Sequence, residues 1–239
     1  MLEKISFSLS TFIFPPLCFV CERKIEKGIL CAQCLKKLEF LTPPLCKICS
    51  LPLKKHNENI CPSCQKITPF YDQLVNTLWY KEPLINLVHL FKYHHYDFFA
   101  EFFSFLMVEQ LSLLGIELDE YDFITAVPSH PSRIKERDYS SSSLLAYEVS
   151  KKIHLPYKNV IYCQYLRPSQ TKLPFSLRKS NIKGIFSGRK EEIEGKNVIL
   201  VDDVVTTKAT IIECSKVLKK AGAGKILVIT LAKSGENHS

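Results

Sequence analysis

The apolar residues of this chain fall into two regimes. Before residue 69 they are short and scattered; after it they gather into stretches with the periods of helices and strands. Residues 72–80 read as a strand. Between 83 and 114, Leu84, Leu87, Val88, Phe91, Phe98, Phe99, Phe102, Phe103 and Leu106 return at helical spacing. Residues 122–127 form a short apolar strand, and 144–153 carry a helical pattern. Residues 159–166 and 184–186 read as strands. Residues 197–201 are a buried strand that runs into Asp202 and Asp203. Residues 210–221 form a helix ended by Gly222, and 225–231 another buried strand. Strands apolar on both faces, alternating with helices, predict a parallel α/β sheet. Ligands of such sheets sit at the carboxyl ends of the strands. The run Phe91-Lys92-Tyr93-His94-His95-Tyr96 mixes aromatic and basic residues. It reads as a core helix whose polar residues face water, with stacking on single-stranded bases as the other reading.

The region before residue 69 has a different logic. Eight of the ten cysteines form four Cys-x-x-Cys pairs: Cys18/Cys21, Cys31/Cys34, Cys46/Cys49 and Cys61/Cys64. Such a turn places two sulfurs on one side of a tight knuckle, and two knuckles surround a tetrahedral Zn²⁺ at about 2.3 Å. Four knuckles make two sites, each closed by four sulfurs, so the two Zn²⁺ are structural rather than catalytic. Sequential pairing is the simplest assignment, and an interleaved one also fits. A redox Cys-x-x-Cys would occur once, beside a helix. His56 reads as a surface histidine, and Cys163 and Cys214, on apolar stretches, as core residues. With few apolar residues of its own, this module depends on its metal to fold. The chain therefore divides near Thr68-Pro69 into a zinc-ribbon module, residues 1–68, and an α/β domain, residues 69–239.

Charge changes the picture little. The formal charge is +8, which directs attention to nucleic acid. Residues 1–68 hold ten Lys/Arg against five Asp/Glu, and two Zn²⁺ on eight thiolates would bring that module near +1. No apolar run reaches the length of a membrane span. Leu2, Ile5, Leu9, Phe12 and Ile13 share one helical stripe, interrupted by Glu3 and three serines and followed by Pro15-Pro16. It lacks the form of a secretory signal. The stripe predicts a short helix packed on its own domain; a weak membrane-surface contact is the other reading. Thiols reduced for zinc fit a cytoplasmic protein.

The densest chemistry lies at residues 198–210. An apolar strand delivers Asp202 and Asp203 to its carboxyl end. Thr206, Thr207, Lys208, Ala209 and Thr210 follow, opening a helix. Backbone N–H groups at a helix start favour an anion. Hydroxyls add hydrogen bonds, and carboxylates accept from paired ribose hydroxyls or from a Mg²⁺ hydration shell. The combination suits a sugar phosphate better than a simple acidic helix cap.

This segment resembles the phosphoribosyl-pyrophosphate motif of type I phosphoribosyltransferases. The whole layout is similar to the ComF/ComFC family of bacterial natural transformation. Further matching pieces are Leu90-Phe91-Lys92-Tyr93, the segment from Val127 through His130, Arg133 and Arg137, and that from Arg167 to Leu173, with Arg178, Asn181 and Phe186 after them. The resemblance covers roughly residues 12–232. It implies a parallel-sheet phosphoribosyltransferase-like domain preceded by a double zinc ribbon. It also implies that Asp202 and Asp203 hold ribose hydroxyls, that Thr206–Thr210 hold the 5′-phosphate, that His130 and Arg133 face pyrophosphate, and that Arg178 closes over the site. Mg²⁺ would accompany phosphoribosyl pyrophosphate, and a nitrogen nucleophile would displace pyrophosphate at the anomeric carbon. The family's setting implies single-stranded DNA and a DNA-uptake helicase as partners in a second, non-catalytic reading. Three stretches, six positions in all, depart from the family. Lys208 stands where it has glycine, which tolerates positive φ and close approach to phosphate. Asp138-Tyr139-Ser140-Ser141 replaces Gly-Phe-Asn-Gln, and His95 replaces a glycine. Lys208 would either clash with the phosphate or neutralise it as a point charge.

Overall fold

The computed structural model describes residues 16–55, 57–94, 96–129, 139–163 and 184–235. The apolar stripe of residues 2–13, His56, His95, His130, Arg133 and Arg178 lie outside them.

Two small sulfur-centred units come first. In each, a Cys-x-x-Cys turn closes on the carbonyl of its first cysteine, Glu22 N to Cys18 O at 2.8 Å and Ser50 N to Cys46 O at 2.7 Å. Glu22 and Ser50 take the positive φ of that turn, at 56° and 57°. The second pair of each unit opens a short helical turn, α1 (Ala32–Leu35) after Cys31 and a 3-10 turn (Pro62–Cys64) after Cys61. The sulfurs of Cys18, Cys21, Cys31 and Cys34 lie within 4.8 Å of one another, as do those of Cys46, Cys49, Cys61 and Cys64. Pairing is therefore sequential. Cys21–Cys31 and Cys49–Cys61 both stand 3.7 Å apart. That is the edge of a tetrahedron about 3.8 Å on a side around zinc–sulfur bonds of about 2.3 Å.

The α/β domain is built on a four-stranded parallel sheet. In spatial order its strands are β1 (Gln73–Trp79), β6 (Ile226–Lys233), β5 (Val198–Val205) and β2 (Phe123–Ala126). The strands lie where their apolar runs predicted. Alternate residues feed two cores. Ile199, Val201, Leu227 and Ile229 face the helices α2 (Leu84–Tyr93), α3 (Phe99–Leu113) and α4 (Ser141–Ile153). Val198, Leu200, Ile226 and Val228 face α6 (Ala209–Lys220), together with Phe186 and Ile193. Phe186 belongs to an antiparallel pair, β3 (Ile161–Cys163) with β4 (Phe186–Gly188), and Ile193 ends the short α5 (Lys190–Ile193). Among the described residues no helix is long and apolar enough to cross a membrane.

Both sheet edges are covered. Beside β2, Ile124 N donates to Pro156 O at 2.9 Å and Lys158 N to Ile124 O at 2.8 Å. Beside β1 the cover comes from the cysteine-rich region. Leu41 N donates to Thr77 O, Trp79 N to Glu39 O and Leu74 N to Lys47 O, at 2.8 to 3.0 Å. Asn76 then rivets the second sulfur unit to the sheet. Its N–H donates to Ser50 Oγ at 2.8 Å and its amide to Cys49 O at 3.3 Å, while its Oδ1 accepts from Thr230 Oγ1 at 2.6 Å. Ser50, Asn76 and Thr230 are all fully buried. The first unit docks through Phe19, whose ring lies 5.1 to 5.7 Å from those of Tyr96, Phe98 and Phe99.

Two outcomes follow. Mercurial titration of the native chain is expected to release two Zn²⁺, and that of Cys64→Ala one. Asn76→Ala leaves Cys49 O and Thr230 Oγ1 buried without their partner. It should cost about 2 to 3 kcal/mol, a fall of about 4 to 12 °C in Tm by calorimetry.

Candidate functional site

Sequence reasoning ended the central strand at Val201. In the structure β5 continues to Val205, so Asp202 and Asp203 sit inside it, Asp202 opposite Thr230 of β6. Carboxylates are poor strand residues. Here specific donors hold them. Ser141 Oγ donates to Asp203 Oδ2 at 2.5 Å, and Lys92 Nζ lies 2.7 Å from the same oxygen. Val204 N donates to Asp203 Oδ1 at 2.5 Å. Ser142 Oγ donates to Asp202 Oδ1 at 2.8 Å, and Asp203 N to the same oxygen at 2.9 Å.

These donors come from elements far apart in sequence. Lys92 lies on the last turn of α2, one residue after the buried Phe91. Ser141 and Ser142 open α4, which Ser140 caps by accepting from Ser143 N. The serine run hid this helix start, so the expected beginning at residue 144 comes three residues late. Ser140 also meets Ser129, which follows β2, at 2.9 Å between hydroxyls. Tyr80 follows β1. All of these groups gather at the carboxyl end of the sheet, where ligands of parallel sheets bind.

The two carboxyls differ electrostatically. Burial pushes Asp202 up to about 7, with the charge of Asp203 second, against a lowering pull from the Ser142 hydroxyl. Burial also works against Asp203, but the Lys92 ammonium and the hydrogen bonds from Lys92, Ser141 and Val204 outweigh it. They hold Asp203 below the usual carboxylate range. Tyr80 is raised, first by burial and then by the charge of Asp203.

The turn after β5 holds one of the departures from the family that the sequence resembles. Thr206 and Thr207 are exposed. Lys208 takes φ 60° and ψ 0°, the left-handed region, and precedes α6 without a side-chain cap. A non-glycine residue there costs roughly 1 to 2 kcal/mol. Glycine would suit this conformation, as its expected place in the motif implied. Ala209 and Thr210 begin α6, whose first turn points its N–H groups toward the same end of the sheet. Asp202, Asp203, Thr206, Thr207, Lys208, Ala209 and Thr210 are thus contiguous; His130, Arg133 and Arg178 lie outside the described residues.

Sequence reasoning missed Lys92, Ser141 and Ser142 as the partners of the aspartates. The first lay in a family-matching piece and Ser141 in a departure, so both stretches were marked, but no local pattern reveals such pairing. Of the run from Phe91 to Tyr96, the first three residues close α2 and His94 caps it, while His95 lies outside the described residues. Phe91 is in the core, and His89, Tyr93 and His94 are exposed. Their rings are near one another, with His89 4.9 Å from Tyr93 and 5.4 Å from His94.

Comparison with known proteins agrees with this layout. A double zinc ribbon domain matches residues 9–66. Competence protein F of Haemophilus influenzae is 30% identical over 228 residues, covering 91% of this chain and 90% of its own. DNA utilization protein YhgH of Escherichia coli is 28% identical, covering 92% and 98%. Among solved structures, adenine phosphoribosyltransferase from Saccharomyces cerevisiae is similar over 59% of this chain and 72% of that one, with TM-score 0.39 and 14% identity. Two sequential four-cysteine sites, a parallel sheet behind them and a relative matched along nine-tenths of both chains place this protein in the competence protein F family.

Proposed function

We propose that the carboxyl end of β5 is a binding site for phosphoribosyl pyrophosphate or a closely related sugar phosphate, in a protein that serves DNA uptake. The carrying observation is the join at residues 202–210. Two strand-held carboxylates lead directly into a hydroxyl-rich turn and the N-terminus of a twelve-residue helix. Ribose hydroxyls would donate to carboxylate at residues 202 and 203. The 5′-phosphate would lie on the N–H groups of the turn and of α6, supported by Thr206, Thr207 and Thr210. Lys208 would supply a compact positive charge. Mg²⁺ would arrive on the pyrophosphate and neutralise part of its charge; the oxygen-only side chains of Asp202, Thr206 and Thr207 suit such a hard cation. His130 and Arg133 remain the proposed pyrophosphate-side residues, and Arg178 the residue proposed to close over the site. The proposed setting is the cytoplasm, where thiols stay reduced.

A second reading makes the protein a non-catalytic handler of single-stranded DNA. It is supported by the exposed cluster of His89, Tyr93 and His94 on and after α2 and by lysine in place of the motif glycine. A relative carries the name DNA utilization protein.

Calorimetric titration with Mg²⁺ and phosphoribosyl pyrophosphate separates the two. Micromolar binding, lost in Asp202→Asn and retained or tightened in Lys208→Gly, is the expected result. Binding of single-stranded DNA that weakens steeply with salt, with no sugar-phosphate binding, would transfer the assignment to the second reading.

The carboxyl of Asp202 also makes a stability prediction. Its folded pKa, about 7, stands above the ordinary 3.8, so the folded state binds the proton more tightly than the unfolded one. The stability that this proton supplies is complete below the unfolded value and is lost as pH rises toward about 7. Asp202→Asn should therefore melt above the parent chain at pH 8, and the gain should shrink at pH 5. Equal gains at both pH values would contradict the burial argument.

A further inference from the structure

We propose that the two adjacent aspartates divide their work: Lys92 is a positioning residue that holds Asp203 as an internal anchor, and Asp202 is the carboxylate that receives the ligand. This rests on the sugar-phosphate reading above and alters it at one point, since the family resemblance gave both aspartates to the ribose.

The geometry separates them. Both oxygens of Asp203 are engaged, Oδ2 by Lys92 and Ser141 and Oδ1 by Val204 N. Of the roughly four acceptor positions of the carboxylate, three are taken, and the side chain is only 12% exposed, so little of Asp203 is left for a ribose hydroxyl. Both hydrogen bonds to Asp202 converge on Oδ1. Its Oδ2 receives none among the described residues.

Burial makes the Lys92 pair hard to open. The side chains of Lys92 and Asp203 are 17% and 12% exposed, whereas most ion pairs here have a partner more than half exposed. Removing one member of such a pair leaves an uncompensated charge away from water. Packing fixes the lysine from behind. Phe91, the preceding residue, is fully buried, with its ring 5.6 Å from Phe103 and 5.8 Å from Tyr139. Position 92 is thus set by the core rather than by the site.

Charge supplies the reason for such a device. Two neighbouring carboxylates repel each other and repel a ligand rich in phosphate. Lys92 cancels one of them within the protein. The pocket then presents a single carboxylate edge beside the phosphate-binding turn. Lys92 differs from Lys208 in this respect: Lys92 serves a protein group, and Lys208 lies in the turn itself.

The test is a double-mutant cycle on the full-length, zinc-loaded chain. Binding of phosphoribosyl pyrophosphate with Mg²⁺ is measured by calorimetry, and Tm by calorimetry without ligand, for Lys92→Met, Lys92→Arg, Asp203→Asn and the Lys92→Met/Asp203→Asn pair. Lys92→Met should weaken binding about tenfold or more, because Asp203 is released into the pocket, and Lys92→Arg should restore most of it. The double variant should bind within about threefold of the parent, since no unpaired charge remains and Asp202 is intact. Loss of binding in the double variant comparable to that in Asp202→Asn would show that Asp203 touches the ligand, and would overturn the proposal. If the parent chain binds no sugar phosphate, the reading of the site falls with it, and the ligand-free cycle decides the anchor. Lys92→Met must lower Tm in the parent and leave it nearly unchanged in the Asp203→Asn background. An equal loss in both backgrounds overturns the pair.

Discussion

The exposed edge of β1 is the constraint on which this architecture turns. In a four-stranded parallel sheet two strands are edges, and their unpaired N–H and C=O groups invite pairing with other chains. β2 is covered by the chain just after α4. β1 pairs with β6 on one side; its outer edge is covered by residues 39–41 and 47–50, which precede it in the chain. Those segments are short and lie outside any helix or strand, so a core of their own, which they are too small to build, cannot fix them. Two sets of four sulfurs can. The second set lies next to the joint: Cys49 O and Ser50 Oγ, in the sulfur knuckle, bond directly to Asn76. Asn76 in turn meets Thr230, and Thr230 stands across from Asp202. The metal module thus braces the sheet that carries the carboxylates, and bracing is the one role for it that the contacts display.

That support matters because the site is costly to build. A carboxyl pair at the end of β5 combines desolvation with like-charge repulsion. The structure resolves the conflict unequally: Lys92, Ser141 and Val204 N–H hold Asp203 low, while burial and the charge of Asp203 raise Asp202. Titratable neighbours pushed apart in this way are a mark of functional ground, because a fold seeking stability alone would use apolar residues there.

Much of the fold was legible because its signals are local. Cys-x-x-Cys turns need only the residues within them, and strands buried on both faces declare themselves as apolar runs. The zinc pairing was not legible, since all four pairs share one spacing and only the three-dimensional path selects partners. The extent of β5 was hidden by the low strand propensity of aspartate, which the donors on α2 and α4 override. Those donors were the largest omission. Ser141 lies 62 residues from Asp203, and Lys92 comes from the far side of α3. Spacing along the chain does not encode such a meeting. Membership of a family-matching segment marked Lys92 without giving it a partner.

Lys208 shows the same division from the other side. A positive φ was foreseeable, because the motif's expected glycine implies it, and the backbone adopts φ 60° although the residue is lysine. The turn takes a conformation that glycine would adopt with least strain, with lysine in the motif glycine's expected place. A substitution that only relaxed a disused site would be expected to let the turn drift toward negative φ, where lysine is unstrained. The turn keeps its positive φ at a cost of roughly 1 to 2 kcal/mol, held between β5 and α6. The strained turn at the end of β5, a lysine at the start of α6 and two carboxyls in unequal surroundings are the features on which the proposed charged-ligand site rests.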